Sequence, residues 1–147
     1  MSRLLRIGEA AEAAGVTTRT LRYYEQRGLL APTGHSVGGA RRYADDDVER
    51  LRRIRELADL MGADLDRIKV VLGAEDRLAD IRSEYRAPGQ SAGRQRELLD
   101  EALGVRHELL AQVDAKIAAL QSMRHDLAAR IAHVEDLLGA LEVAAPH

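Results

Sequence analysis

Along residues 7–14, IGEAAEAA, the apolar side chains of Ile7, Ala10, Ala11 and Ala14 fall at i, i+3, i+4 and i+7, the spacing of an amphipathic helix. Gly15 follows, where a left-handed residue closes a helix at little steric cost. Thr17 or Thr18 can cap a second helix that runs to about Arg27 and stops at Gly28. Two short helices joined by a tight turn containing glycine form a helix-turn-helix pattern. Residues 30–43 lose the period, because Pro32, Gly34, Gly38 and Gly39 break any helix, and their flanks can pair as a small hairpin. From Asp45 the helical period returns with Val48, Leu51, Ile54, Leu57 and Ala58 on one face. Asp45, Asp46 and Asp47 stand at its start, where carboxylates complement the helix dipole. Gly62 ends this helix, and Asp64 opens a short one through Ile68, Val71 and Leu72 that is expected to end at Gly73. Leu78, Ile81 and Tyr85 suggest one more short helix, and Ala87 to Gly93 reads as a loop.

The last third has a different period. With Leu103 as heptad position a, the seam continues through Leu110, Val113, Ile117, Leu120, Leu127, Ile131, Val134, Leu138 and Leu141, the 3–4 spacing of a coiled coil. Arg106 at d and Arg124 at a interrupt it, with Met123 beside the second. A helix over 106–141 would be roughly 54 Å long at 1.5 Å per residue, too long for a small head domain to cover. Its seam therefore predicts a homodimer, and a hairpin broken at Gly104 is the competing arrangement. The expected organisation is a mainly α chain: a winged helix-turn-helix head over 1–73, a linker and possible effector-contact region over 74–96, a dimerisation helix over 97–142 and a tail over 143–147.

Composition sharpens this picture. Hydrophobic residues make up 46% of the chain but aromatics only 3%, with no Phe or Trp, which suits helix packing better than a β-sandwich. The absence of cysteine excludes disulfides, thiolate metal sites and thiol redox sensing. No apolar run is long enough for a membrane span and Met1–Arg6 lacks the apolar stretch of a signal peptide, so a soluble cytoplasmic protein is expected. Residues 1–56 hold 11 Arg against 8 Asp and Glu, whereas the remainder is acidic. A basic head on an acidic body fits a partner such as nucleic acid that engages one end.

The second helix carries the candidate chemistry. Thr17, Thr18, Arg19, Thr20, Arg22 and Tyr23 crowd its first half, the part that approaches bases and phosphates when such a helix enters a major groove. Arginine reads guanine edges or grips phosphate, and Thr and Tyr hydroxyls contact phosphate oxygens. The hairpin ends in Arg41, Arg42 and Tyr43, a wing suited to flanking phosphates. Nucleophile elbows, phosphate-binding glycine loops and HExxH motifs are not found, so no enzyme and no cofactor are expected. His107, His125 and His133 show no i, i+4 pairing, so no metal site is expected either.

The segments TLRYYEQRGLL and RRYADDDVERLRRIRELADLMGADLDRI, followed by a long terminal helix, resemble the MerR family of transcriptional regulators. The likeness is close over 5–73 and holds in pattern only over 97–141. It implies a winged-helix homodimer joined by an antiparallel coiled coil, binding a palindromic operator in double-stranded promoter DNA and distorting it so that RNA polymerase can use the promoter. Carried over by position, the family's DNA contacts fall on Thr17, Arg19, Thr20, Arg22, Tyr23, Arg41, Arg42 and Tyr43. Dimerisation falls on Leu110, Val113, Ile117, Leu120, Leu127, Ile131, Val134 and Leu138. Gly62 sits where the family has a second, helical wing. The cysteines of its metal sensors are missing, and the coil is followed only by Glu142–His147, so no separate effector domain is expected. A small-molecule effector would then bind near Val71, Leu72, Leu78, Ile81 and Tyr85. An architectural DNA-bending or excisionase-like protein and a coiled-coil protein-interaction module are the alternative readings.

Overall fold

A computed structural model describes residues 3–145. Five helices and one two-stranded ribbon follow in the order α1 (Ile7–Ala14), α2 (Thr18–Gln26), β1 (Gly34–His35), β2 (Arg41–Arg42), α3 (Asp45–Met61), α4 (Leu65–Arg86) and α5 (Ala92–Ala144). The chain divides into two compact units, 1–98 and 99–147.

Local chemistry sets the boundaries in the first unit. Glu9 accepts from the Arg6 amide at 3.1 Å and so closes the first turn of α1. Gly15 ends that helix at φ +71, a left-handed conformation that costs other residues about 1 kcal/mol or more. The Thr17 hydroxyl caps α2 by accepting from the Thr20 amide at 3.1 Å. Asp47 accepts from the Ala44 amide at 2.9 Å and from the Thr33 amide at 3.1 Å, fixing both the start of α3 and the approach to the ribbon. Gly62, at φ +80, turns the chain out of α3, and Asp64 caps α4 through the Arg67 amide at 3.2 Å.

The core of this unit is built from the inward stripes of its helices. Ala10, Leu21, Leu51, Ile54, Ile68, Leu72 and Leu98 are essentially inaccessible. Arginines lace the outside of α3. Arg52 donates to the Ala13 carbonyl of α1 at 3.0 Å. Arg50 donates to the Leu29 carbonyl at 3.1 Å and to Asp76 of α4 at 2.7 Å. Arg53 meets Glu75 with Nε 3.0 Å from one carboxylate oxygen and Nη2 2.5 Å from the same one. Such half-exposed pairs fix how the helices align more than they add stability.

Three expectations are corrected here. The helix opening at Asp64 does not end at Gly73 but continues through it to Arg86, absorbing the segment read as a separate short helix. One mid-helix glycine costs about 1 kcal/mol, less than the burial of Ile68, Val71, Leu72, Leu78 and Ile81 on that helix supplies. The break falls instead at Ala87, which is extended (φ −64, ψ 142) because Pro88 follows it. The loop is correspondingly short, and α5 begins at Ala92 behind a Ser91 cap that accepts from the Arg94 amide at 3.1 Å. The long helix thus starts well before residue 106, passes Gly104 unbroken and takes in Val143 and Ala144. Of the rest of the expected tail, Ala145 follows the helix, and Pro146 and His147 lie outside the described residues.

In the second unit the heptad residues form one helical seam. From Leu103 to Leu141 their side chains are 46–68% exposed. No helix among the described residues is long and apolar enough to cross a membrane.

Candidate nucleic-acid interface

The ribbon is short but tightly specified. Gly34 pairs with Arg42 and His35 with Arg41, antiparallel. Its loop closes through the Ser36 amide to the Ala40 carbonyl at 2.7 Å and the Gly39 amide to the Ser36 carbonyl at 2.9 Å, with Gly39 at φ +85. A bridge between Leu5 and Tyr43 then ties the end of the wing to the chain entering α1 (2.7 and 2.9 Å). Helix α1, helix α2 and the wing are thereby assembled around one face.

Two surface hollows on that face share a residue. One, of about 630 Å³, is lined by Arg6, Ile7, Arg22, His35 and the 39–42 segment of the wing. The other, of about 700 Å³, is lined by Arg19, Thr20, Arg22, Tyr23 and Gln26 of α2. Arg22 stands between them. No carboxylate lines either hollow. Among the described residues no acid lies within 4.0 Å of the guanidinium groups of Arg6, Arg19, Arg22 or Arg42. The contrast is with α3, whose Arg50, Arg52 and Arg53 are all paired: Arg52 with Glu49 of the same helix, Arg50 with Asp76 and Arg53 with Glu75 of α4, whereas the first turn of α2 holds no acid.

The individual residues take distinct parts. Thr17 is exposed, but its hydroxyl serves the helix: it accepts from the Thr20 amide and donates to Thr20 Oγ1 at 2.9 Å. This leaves the Thr20 hydroxyl hydrogen available to an outside acceptor. Tyr23 is 47% exposed, with its ring centroid 6.3 Å from that of Tyr24. Tyr24 faces inward, and burial first, then Asp59, raises its pKa above the ordinary tyrosine value. Arg42 lies half-buried and donates to the Arg41 carbonyl at 3.0 Å. Arg41 reaches Glu25 at 3.0 Å, where the carboxylate is 9% exposed.

Tyr43 does not belong with the surface residues expected to meet DNA. It is 0% exposed, and its hydroxyl donates to Glu25. Burial, followed by that hydrogen bond, raises its pKa well above the ordinary value. The RRY motif therefore splits into two arginines on the surface and a tyrosine that anchors the wing to α2. Arg6 and His35 were missed as lining residues. No local pattern marks Arg6, which reaches the face only because Leu5 pairs with Tyr43.

The residues expected near an effector lie mostly inside the head. Val71, Leu72, Leu78 and Ile81 are 1–8% exposed and form the inward stripe of α4, while Tyr85 is half-buried. Four surface hollows of the head are lined by other residues. Among the described residues no cluster of three His, Cys, Asp or Glu side chains could hold a metal ion.

Comparison with known proteins agrees with this arrangement. Residues 5–75 match the model of the MerR HTH family regulatory protein. The HTH-type transcriptional regulator ZntR of Escherichia coli is 34% identical over 124 residues, covering 84% of this chain and 76% of its own. HmrR of Sinorhizobium medicae is 35% identical over 123 residues, covering 84% and 71%. The transcriptional activator TipA of Streptomyces coelicolor is 38% identical over 113 residues, and the match spans 77% of this chain but only 41% of TipA. Among solved structures, HiNmlR, a MerR family regulator lacking the sensor domain and bound to promoter DNA, aligns with a TM-score of 0.51 and 25% identity, covering 91% and 92% of the two chains. The family match in the head, the relatives that extend it through most of α5 and the shared winged helix-turn-helix architecture agree: this chain belongs to the MerR family of helix-turn-helix regulatory proteins.

Proposed function

We propose that the protein is a homodimeric, promoter-specific transcription regulator whose head binds double-stranded DNA through α2 and the wing. The observation that carries this reading is the acid-free face formed by Arg6, Arg19, Arg22 and Arg42. Four uncompensated guanidinium groups around adjoining hollows provide the phosphate grip and the base-edge donors that such docking needs. Arg19, Thr20, Arg22 and Tyr23 on α2 enter the major groove, Arg42 and Arg6 hold flanking phosphates, and Arg41 shares its charge with Glu25. Few base-edge groups against many phosphate groups suit a protein that reads DNA shape as well as sequence. The related HiNmlR is bound to promoter DNA, and this chain takes the same class of ligand. Dimerisation through α5 presents two heads to a palindromic operator, and distortion of that DNA controls initiation by RNA polymerase.

The test is a nuclease footprint on the DNA immediately upstream of the gene, followed by binding at several salt concentrations. A protected palindrome with hypersensitive cuts at its centre is expected. Six to ten phosphate contacts should lower affinity by roughly 10³–10⁵ between 50 and 200 mM salt. Binding insensitive to salt, or weak uniform protection without a palindrome, would refute the assignment.

A further inference from the structure

The acid-free face holds one group whose charge can change near neutral pH. His35 lines the hollow between the start of α1, α2 and the wing, together with Arg6, Arg22, Arg41 and Arg42. We propose that DNA binding by this head takes up a proton at His35, which contacts phosphate as the imidazolium, so that the protein grips DNA more tightly as pH falls. This rests on the DNA-binding reading above and adds a form of regulation to that same site.

The ribbon fixes where the imidazole stands. His35 pairs with Arg41 across the two strands, and directly opposite residues of an antiparallel pair share one face. The Ser36 amide, bound to the Ala40 carbonyl at 2.7 Å, holds the strand just beyond it. His35 is exposed, and among the described residues its ring has no ion-pair partner. The charged groups that face it come from three elements: Arg6 at the start of α1, Arg22 on α2, and Arg41 and Arg42 on β2. The carboxylates of the neighbouring segments are engaged elsewhere. Glu9 meets Arg3 and the Arg6 amide, and Glu25 holds Arg41 and the Tyr43 hydroxyl. Glu12 lines a separate hollow, and Asp46 and Asp47 another. Asp47 is also the acceptor for the Thr33 and Ala44 amides.

No residue lining the hollow therefore offers His35 a counter-charge, and a DNA phosphate does. An opposite charge within about 4–6 Å favours the charged form of a titrating group, and imidazole exchanges its proton between about pH 5 and 8. Phosphates held at Arg6 and Arg42 bring that charge into the hollow, and both ring nitrogens of the imidazolium can donate to them. The arginines stay protonated throughout this range, so they add grip without adding pH dependence. The sign follows from linkage. The complex favours the protonated ring, so the added affinity is complete at acid pH and is lost as pH rises. An exposed charge pair is worth about 2- to 5-fold in affinity, or about 4- to 25-fold when two heads bind together.

The test uses the full-length protein and a fluorescently labelled duplex of the DNA immediately upstream of its gene, titrated at about pH 6 and about pH 8 over a series of salt concentrations. The wild type should bind more tightly at the acid end by the factor above. Its plot of log affinity against log salt should also steepen there by about 0.9 per head, the signature of one additional phosphate contact. His35→Gln retains a hydrogen-bonding side chain that cannot ionise, and leaves the other imidazoles and the amino terminus in place. It should lose both pH-dependent changes. His35→Arg carries a fixed charge and should show the steep slope at both pH values. Calorimetry in two buffers of different ionisation heat should register proton uptake by the wild type and none by His35→Gln. Unfolding midpoints check that the variants fold; if His35→Gln does not, His35→Arg decides alone. A wild type whose affinity and salt slope do not change with pH would overturn the proposal and leave DNA binding intact. A pH effect retained in full by either folded variant would place the proton elsewhere and overturn it too. Absence of salt-sensitive DNA binding at both pH values would overturn the DNA-binding reading itself.

Discussion

Replacing Tyr43 by Phe separates two roles for the last residue of the RRY motif. Tyr43 is inaccessible and its hydroxyl donates to Glu25, a carboxylate only 9% exposed that also receives Arg41 at 3.0 Å. Phe retains the ring and its packing, so no large cavity opens. What is lost is one hydrogen bond to a charged acceptor held largely out of water, worth about 1.5–3 kcal/mol. Because Arg41 stays beside Glu25 and part of that carboxylate's hydration remains, about 2 kcal/mol is expected. With a urea m value of about 2 kcal/mol/M, the unfolding midpoint should fall by about 1 M, measured at one fixed protein concentration so that any self-association is held constant. The effect should also depend on pH. The folded-state pKa of Tyr43 is raised above the ordinary value of 10.0, by burial first and by Glu25 second. The native state therefore resists ionisation, and this contribution is complete below about pH 10 and declines as pH rises beyond it. The gap between wild type and Tyr43→Phe should accordingly narrow above pH 10. DNA affinity at a fixed salt concentration should be unchanged. An unaltered unfolding midpoint together with weaker DNA binding at every salt concentration would show instead that the Tyr43 hydroxyl touches phosphate, and the buried placement would be refuted.

Three further outcomes follow from the same geometry. Arg6→Ala should weaken DNA binding and reduce the salt slope by about 1 without moving the unfolding midpoint; an unchanged slope would remove Arg6 from the interface. Leu72→Ala should destabilise the head by about 2–5 kcal/mol, as removal of a buried leucine does, and a denaturation curve matching wild type would show that α4 has no core at that position. Leu120→Glu puts a carboxylate into the α5 seam and should convert the dimer to monomers in sedimentation, with operator binding lost; a persisting dimer would refute the seam.

The elements that were legible in the sequence are those whose information is local. The turn at Gly15, the caps at Thr17, Asp47 and Asp64 and the 3.6-residue stripes of α1 and α3 depend on residues within a few positions of each other. The heptad seam of α5 was equally readable, because its period persists over many turns. The extent of the helices was less so. Gly73 and Gly104 each weaken a helix by an amount that local rules register, but continuity is decided by the total over the whole element, which at Gly73 includes five buried side chains on α4.

Which face each side chain takes was decided only by tertiary structure. Arg42 and Tyr43 are neighbours, yet one lies on the surface and the other is sealed inside, because the Leu5 bridge and Glu25 reach Tyr43 from sequence positions 38 and 18 residues away. Arg6 joins the basic face through the same bridge. Val71, Leu72, Leu78 and Ile81 have a spacing that suits a pocket wall as well as a core stripe, and the packing of the head makes them core. The sequence by itself determined the order of elements, the basic character of α2 and the wing, and the apolar heptad seam of α5, because periodicity and charge are properties of short stretches. The composition of the arginine face, and the exclusion of Tyr43 from it, required contacts between distant segments, which only the folded chain brings together.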